Sequence, residues 1–450
     1  MSRLFGTDGI RGVANEYPLT AEGSYYIGRA VASFFKRSSW QTKILIGKDT
    51  RQSGTMIENA LTDGICSVGA EAFLAGIIPT PAIAYLVSAG DAVAGIVISA
   101  SHNPYTDNGI KLFDAEGYKL PDVKEDEIER LILAEGSEDP VGKSQHIRGK
   151  ARQMEDASER YLAFLKNTLP DARPFEGMKI ALDCSNGATY ALAPRLFSDL
   201  GATVESISVE PDGKNINADC GSEHPASLID KVLTQKADIG LAFDGDGDRL
   251  VAVDEQGQII SGDRTLAICA RNLKRKGLLR NNMVISTVMS NLGLRLALKD
   301  MGIDHMMTAV GDRYVLEQMR ASGAIIGGED SGHMIFLDQH TTGDGLLTAI
   351  RLIETMRDEK KKLSDLRRVM NVLPQVLQNI DVQHKPEIES VPQLTEAIRT
   401  VEAQLGDKGR VLVRYSGTQP LCRVMVEGPE IKETRRYCQQ IADVVKATLG

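Results

Sequence analysis

The stretch DIGLAFDGDGDRLVAVDE, residues 238–255, sets two short apolar runs on either side of six residues in which every second one is aspartate. Both flanks are brief and aliphatic, so they read as strands, and the acidic hexapeptide reads as the loop between them. Asp244, Asp246 and Asp248 are separated only by Gly245 and Gly247. Three carboxylates this close repel one another unless a cation sits among them, and the glycines let the backbone curl to aim all three inward. Oxygen-only ligands select a hard cation, magnesium before calcium. A calcium EF-hand is the competing pattern, because Glu255 falls at its twelfth position. It fails because position six is Arg249 rather than Gly and strands, not helices, flank the loop. A solvated acidic turn is the plain alternative.

Working outward, similar short runs recur: KILIG (43–47), GIVIS (95–99), KIALD (179–183), MVIST (283–287) and AIIGG (324–328). Longer segments with apolar residues every three or four positions lie between them, as in SERYLAFLKNTL (158–169), and read as helices. This alternation predicts α/β architecture with parallel pairing. A weak internal repeat emerges. ILIGKDTR (44–51), IALDCSNG (180–187) and VISTVMSN (284–291) each read as an early strand with a polar loop. Some forty to sixty residues later come denser polar loops, SASHNP (99–104), DGDGDR (244–249) and GEDSGH (328–333). The tail differs: GRVLVRYSGTQPLCRVMVEG (409–428) reads as two strands and a Gly-containing loop, followed by a helix. The expected division is three related α/β domains with mixed sheets, at 1–152, 153–254 and 255–368, and a smaller C-terminal α+β domain at 369–450. Polar stretches near 135–152 and 170–177 are the expected linker into the second domain.

A chain of 450 residues exceeds what one core supports, which agrees with several domains. Its net charge of −9 disfavours nucleic acid as a partner, and no apolar run is long enough to span a membrane. The opening MSRLFGTDGIRG lacks the apolar core of a signal peptide and reads as working structure. The six cysteines, at 66, 184, 220, 269, 422 and 438, are scattered without Cys-x-x-Cys spacing, which fits free thiols in a reducing cytosol.

The remaining motifs are ambiguous taken singly. In SASHNP, Ser99 is expected to complete a strand and Ala100 and Ser101 to begin an exposed loop, with Pro104 preventing strand continuation. Ser101 has no evident triad, His102 is poorly placed to face its hydroxyl, and the G-x-S-x-G elbow is absent. A turn serine and a catalytic serine fit equally. Lys111 is either an acid/base partner or a surface charge. In GEDSGH, Glu329 and Ser331 can hydrogen-bond polyol hydroxyls and His333 can transfer a proton, against a plain strand-end turn. In RYSGTQP, Arg414, Ser416 and Thr418 beside Gly417 suit a phosphate-binding loop, against a plain hairpin. In GTDGIRG (6–12), Thr7 and Arg11 could approach an anion.

Together and in this order, GTDGIRG, SASHNP, DGDGDR, GEDSGH and RYSGTQP span almost the whole chain, which therefore resembles the α-D-phosphohexomutase superfamily, and within it the bacterial amino-sugar branch. The resemblance implies four domains around a central cleft. It implies that Ser101 carries a phosphoryl group. Asp244, Asp246 and Asp248 would bind one magnesium ion, with a phosphoserine oxygen of Ser101 as a further ligand. Glu329 and Ser331 would read sugar hydroxyls, and Arg414, Ser416, Gly417 and Thr418 would hold the phosphate not being transferred. Arg11, Lys111 and His333 match positions used for charge stabilisation or proton transfer. The implied reaction converts glucosamine 6-phosphate to glucosamine 1-phosphate through a bound glucosamine 1,6-bisphosphate. The implied setting is the cytoplasm, supplying the precursor of UDP-N-acetylglucosamine for cell-wall peptidoglycan. The implied partner is a small sugar phosphate; a homodimer is left open. Three positions depart from the family pattern: Gln419 where Glu is usual, Asp330 where Gln is frequent and Ala309 where Lys is frequent. The rival readings are the same chemistry on mannose or glucose phosphates, a metal-dependent sugar phosphatase, and a metabolite-binding protein without activity.

Overall fold

Seven strands build the first sheet: β1 (Phe5–Gly6), β2 (Gly9–Val13), β3 (Lys43–Lys48), β4 (Glu71–Ile77), β5 (Ala94–Ile98), β6 (Asp107–Asp114) and β7 (Ala151–Gln153), in the order β1-β2-β6-β5-β3-β4-β7. The computed structural model describes residues 3–6, 8–36, 42–135, 148–416 and 420–450. Central strands β3 and β5 are buried along Ile44, Leu45 and Ile46 and along Ile96, Val97 and Ile98. Such unbroken apolar runs are what parallel strands covered on both faces require.

The second sheet comprises β8 (Lys179–Asp183), β9 (Thr203–Ile207), β10 (Ile239–Phe243), β11 (Leu250–Asp254) and β12 (Ile259–Ile260), ordered β12-β11-β10-β8-β9. The third comprises β13 (Met283–Thr287), β14 (Asp304–Thr308), β15 (Ile326–Gly328) and β16 (Met334–Phe336), ordered β14-β13-β15-β16. The weak sequence repeat is therefore a topological repeat. In each sheet an early strand (β3, β8, β13) lies parallel to the next strand on one side and to the motif-bearing strand (β5, β10, β15) on the other. The motif-bearing strand then pairs antiparallel with its successor. SASHNP, DGDGDR and GEDSGH thus all leave the end of a strand where the sheet switches from parallel to antiparallel.

The chain falls into two units, Met1–Val288 with Asp304–Arg368, and Met289–Ile303 with Val369–Gly450. The first holds these three sheets. The second holds an antiparallel sheet, ordered β17-β19-β18, of β17 (Gln375–Asp381), β18 (Arg410–Tyr415) and β19 (Leu421–Glu427). Helices Pro392–Leu405 and Ile431–Leu449 contribute Leu394, Val401, Ile441 and Val445 to a core shared with Val424 and Val426. Within this unit the buried Glu427 carboxylate accepts from Arg410 Nε at 2.6 Å and from Leu292 N at 2.9 Å, tying residues 289–303 to the sheet.

Most of the expected strands and the helix over 158–169 occur within a residue or two of their expected ends; AIIGG narrows to β15. The linker expected near 135–152 ends instead in β7, which adds parallel to β4 and straddles position 152. Likewise β12, beyond position 254, belongs to the second sheet. The six cysteines are buried and unbonded. Among the described residues no helix is long and apolar enough to cross a membrane.

Candidate active site

The DGDGDR loop closes the antiparallel pair β10 and β11, with Phe243 opposite Leu250, as the flanking apolar runs require. Asp244, Asp246 and Asp248 are buried, and one carboxylate oxygen of each lies within 4.8 Å of the others. Gly245 packs so closely against the serine loop that a Cβ there would stand 2.5 Å from Ser101 O, and Gly247 has φ +73°. The two glycines therefore serve close approach and curvature respectively.

Ser101 completes the constellation. Its Oγ donates to Asp244 Oδ2 at 2.5 Å. The loop is not exposed as expected: Ala100 and Ser101 are buried, because the aspartate loop covers them. Ser99 lies just beyond β5 and turns its hydroxyl inward, donating to Asp49 Oδ2 at 2.6 Å while accepting from Ser101 N at 2.9 Å. His102 does reach the serine, with Nδ1 3.3 Å from Oγ. The expectation that it could not is corrected, although this is a long contact. Burial, with Arg249 beside it, lowers the His102 pKa and keeps the ring neutral.

Lys111, from β6, is no surface charge. Only 2 % exposed, its Nζ stands 2.8 Å from Asp246 Oδ2, 3.2 Å from Asp8 Oδ2 and 3.5 Å from Asp248 Oδ2. Burial would lower its pKa, but these three carboxylates hold it well above the ordinary lysine value. Burial alone would also raise Asp248, yet Lys111 and then His333 keep it well below the usual range. At Asp244 burial and the charges of Asp248 and Asp246 outweigh Arg249 and the Ser101 hydroxyl and push its pKa well up. Asp246 Oδ1 and Asp248 Oδ1 are buried without hydrogen-bond partners. An oxygen-lined pocket with two buried carboxylate oxygens that accept no hydrogen bond and a carboxyl unfavourable as an anion fits a divalent cation.

A cavity of about 310 Å³ opens beside this cluster, lined by Asp8, Arg11, Asp248, Arg249, Glu329 and His333 among others. His333 is buried with Nδ1 3.6 Å from Asp248 Oδ2 and Nε2 3.5 Å from Asp312 Oδ2. Burial lowers its pKa, but Asp248 and Asp312 outweigh that and raise it overall. Glu329 accepts from Gly311 N at 3.0 Å. Arg11 pairs with Asp8, and Lys119 bridges Asp8 to Asp312. The hydroxyl of Ser331 is buried without a hydrogen-bond partner. Asp330 points elsewhere, accepting from Asp263 N in the first turn of helix Gly262–Arg275. A larger opening, of about 450 Å³ and lined by Lys43, Phe73 and Arg160, touches none of these groups.

In the second unit Arg414 sits in β18 opposite Arg423 of β19. Burial and the facing guanidinium lower its pKa. Ser416 is buried; its N–H donates to Leu421 O at 2.8 Å, and Lys385 Nζ donates to its carbonyl at 2.6 Å. Gly417, Thr418 and Gln419, like Thr7, lie outside the described residues.

Several site residues escaped sequence reasoning. Asp8 and Arg51 sit inside stretches already singled out, GTDGIRG and ILIGKDTR, so proximity could have flagged them. Thr80, which donates to Asp246 Oδ2 at 2.6 Å, and Lys119, Asn217 and Arg423 carry no local signal.

Comparison with known proteins places this geometry. Descriptions of one family match in chain order: Phosphoglucomutase/phosphomannomutase, alpha/beta/alpha domain I over residues 2–139, domain II over 159–257, domain III over 261–373 and C-terminal domain over 377–444. The chain is 58% identical over 450 residues to a phosphoglucosamine mutase from Syntrophus aciditrophicus (strain SB), covering 100% of both. A solved phosphoglucomutase/phosphomannomutase family protein from Burkholderia thailandensis superposes with a TM-score of 0.80 at 26% identity, covering 99% of this chain and 98% of that one. Aspergillus fumigatus N-acetylphosphoglucosamine mutase, solved with GlcNAc-6P and magnesium, shares the fold at a TM-score of 0.70 and 16% identity, over 99% of this chain and 96% of that one.

Proposed function

The chain belongs to the phosphoglucomutase/phosphomannomutase family, and from that premise we propose how its residues interconvert glucosamine 6-phosphate and glucosamine 1-phosphate. It is an isomerase of amino-sugar metabolism. The observation that carries the reading is the convergence of Ser101, the three aspartates and Lys111 in one buried cluster, in a chain 58% identical over its full length to a phosphoglucosamine mutase.

Ser101 is read as the phosphoryl carrier. In the first half-reaction the P–O bond to Ser101 Oγ breaks as a P–O bond to a sugar hydroxyl forms, and one proton passes from that hydroxyl to Ser101 Oγ. The second half-reaction reverses this with the other phosphate of glucosamine 1,6-bisphosphate. Asp244, Asp246 and Asp248 would hold one Mg2+, which when bound supplies positive charge to offset that of the transferring group. Lys111, with Nζ 2.8 Å from Asp246 Oδ2, offers positive charge beside the transferring group. His333, at the cavity wall with Nε2 3.5 Å from Asp312 Oδ2, is read as a group able to take up and return the proton. Arg11 offers a guanidinium on the same wall, and Glu329, with Ser331, would read sugar hydroxyls. Arg414 and Ser416, with Gly417 and Thr418, would bind the phosphate not being transferred. A cytoplasmic setting suits six buried, unbonded cysteines.

The test is a side-by-side assay of glucosamine, mannose and glucose 6-phosphates, each primed with its own 1,6-bisphosphate. Glucosamine 6-phosphate is expected to give the highest kcat/KM; clear preference for either other sugar sinks the assignment. Ser101→Ala is expected to lose the phosphoenzyme mass and nearly all turnover, while Ser99→Ala retains a phosphorylated Ser101.

A further inference from the structure

Ser101 sits at φ +52°, in the left-handed region that a residue with a Cβ rarely occupies. A strained residue at a reacting position persists only where its surroundings over-determine it. Here the source is visible. Arg51 is 3 % exposed, and all five of its N–H donors are spent. Nε donates to Asp49 Oδ2 at 2.9 Å, Nη2 to Ser101 O at 2.9 Å and Asn103 O at 2.8 Å, and Nη1 to Asp107 O at 3.1 Å and to Pro104 O. Asn217, from the second α/β domain, donates through Nδ2 to the same two carbonyls, at 2.9 Å to Ser101 O and 3.0 Å to Asn103 O. The N–H of Ser101 is held from the other side, through Ser99 Oγ to Asp49, the carboxylate that Arg51 itself grips. Both polar groups of the Ser101 backbone therefore lie on one closed circuit.

The second domain supplies an internal control. Asp183 ends β8 much as Asp49 follows β3, and its Oδ1 accepts from Ser185 N at 2.9 Å, as Asp49 Oδ1 accepts from Arg51 N at 2.9 Å. The Asp-to-backbone bond is shared, although Ser185 is left-handed at φ +49° and Arg51 is not, and the guanidinium is present only in the repeat whose loop carries Ser101. Turn formation does not explain Arg51; gripping the serine loop does. Because Asp49 neutralises it, Arg51 adds little net charge at the reacting group and acts through geometry.

We propose that Arg51, assisted by Asn217, is a positioning residue that holds Ser101 in its left-handed state so that Oγ meets the transferring phosphoryl group in line. This rests on Ser101 being the phosphoryl carrier. The test uses full-length Asn217→Ala and Arg51→Lys, each checked for folding by circular dichroism and melting. It follows kcat and KM for glucosamine 6-phosphate and the rate at which glucosamine 1,6-bisphosphate phosphorylates Ser101, read by intact mass. A misplaced reacting group is expected to lower kcat and the phosphorylation rate together by ~10- to 100-fold while KM stays within about twofold. Lysine is expected not to rescue, since it lacks the fork. Guanidinium added to Arg51→Ala is expected to restore part of the rate. If Arg51 variants do not fold, Asn217→Ala decides alone. Folded variants with kcat within about twofold of the parent, or with only a lowered melting temperature, overturn the proposal. Retention of the phosphoenzyme in Ser101→Ala instead overturns the carrier assignment, so the two failures are distinct.

Discussion

Around Ser101 the charged side chains find opposite charges inside the protein. Lys111 touches Asp8, Asp246 and Asp248; His333 lies between Asp248 and Asp312; Lys119 joins Asp312 back to Asp8. At Arg414 the cross-strand neighbour is a second cation, Arg423, and Lys385 stands at the adjacent Ser416. The first region is a closed set of pairs whose geometry is fixed before any ligand arrives. In the second, two arginines, Arg414 and Arg423, lie opposite one another across β18 and β19. Preorganised pairs suit a step in which bonds change, because nothing need reorganise as charge moves. A pair of opposed arginines suits holding either of two phosphates of one bisphosphate, since it demands charge more than a fixed pose. Changes in the first region should therefore act on kcat, and those in the second on KM.

The sharpest attempt to break this contrast is to unbalance the first region. Chelation is expected to abolish turnover with Mg2+ restoring it, and Asp246→Asn to lower kcat by roughly a hundredfold or more. Activity that survives exhaustive chelation would contradict the metal reading. Next comes Gly245→Ala, whose Cβ would stand 2.5 Å from Ser101 O. It is expected to reduce kcat by about tenfold or more with KM little changed, and an unimpaired enzyme would show that the two loops need not touch. In the second region, Arg414→Ala or Arg423→Ala is expected to raise KM about tenfold with kcat within about threefold; a fall confined to kcat would erase the contrast.

The smallest effect lies beneath the first region. Asp344 is fully buried, accepts from Tyr161 OH at 2.8 Å and caps helix Gly345–Glu359 through Leu347 N. Burial raises its pKa to about 6. With an unfolded value of about 3.9, the folded protein binds the extra proton. The associated stability is thus complete below about pH 4 and is lost as pH rises through about 6, for at most roughly 3 kcal/mol. Asp344→Asn keeps the cap and removes the charge. Its melting temperature at pH 7.5 is expected to rise by a few degrees, with a flatter profile between pH 4 and 6; an unchanged or lower value would show that the carboxylate is already neutralised.

The three-domain repeat was legible because short apolar strands and their polar end-loops are local patterns, and the clustered acidic loop because its three aspartates fall within five residues. Alternation in the tail likewise located β18 and β19, but β17 passed unseen, since QVLQNID leads into no dense motif. The exposure of the SASHNP loop was misjudged because local sequence cannot say what covers a turn. Asp330, a departure from the family pattern, lies on a helix start rather than on the cavity.

The sequence by itself determined the fold class, the order of the motifs, the cluster of three aspartates and the presence of a serine loop, because each depends on residues within one strand–loop segment. Only the tertiary structure decided that Lys111 is a buried, triply paired cation, that Asp8, Asp312 and Lys119 close the charge circuit, and that Arg51 and Asn217 grip the loop of Ser101. Those contacts join residues tens to hundreds of positions apart. Their energies come from burial and from distances of a few ångströms, which the chain acquires only once the three sheets have packed.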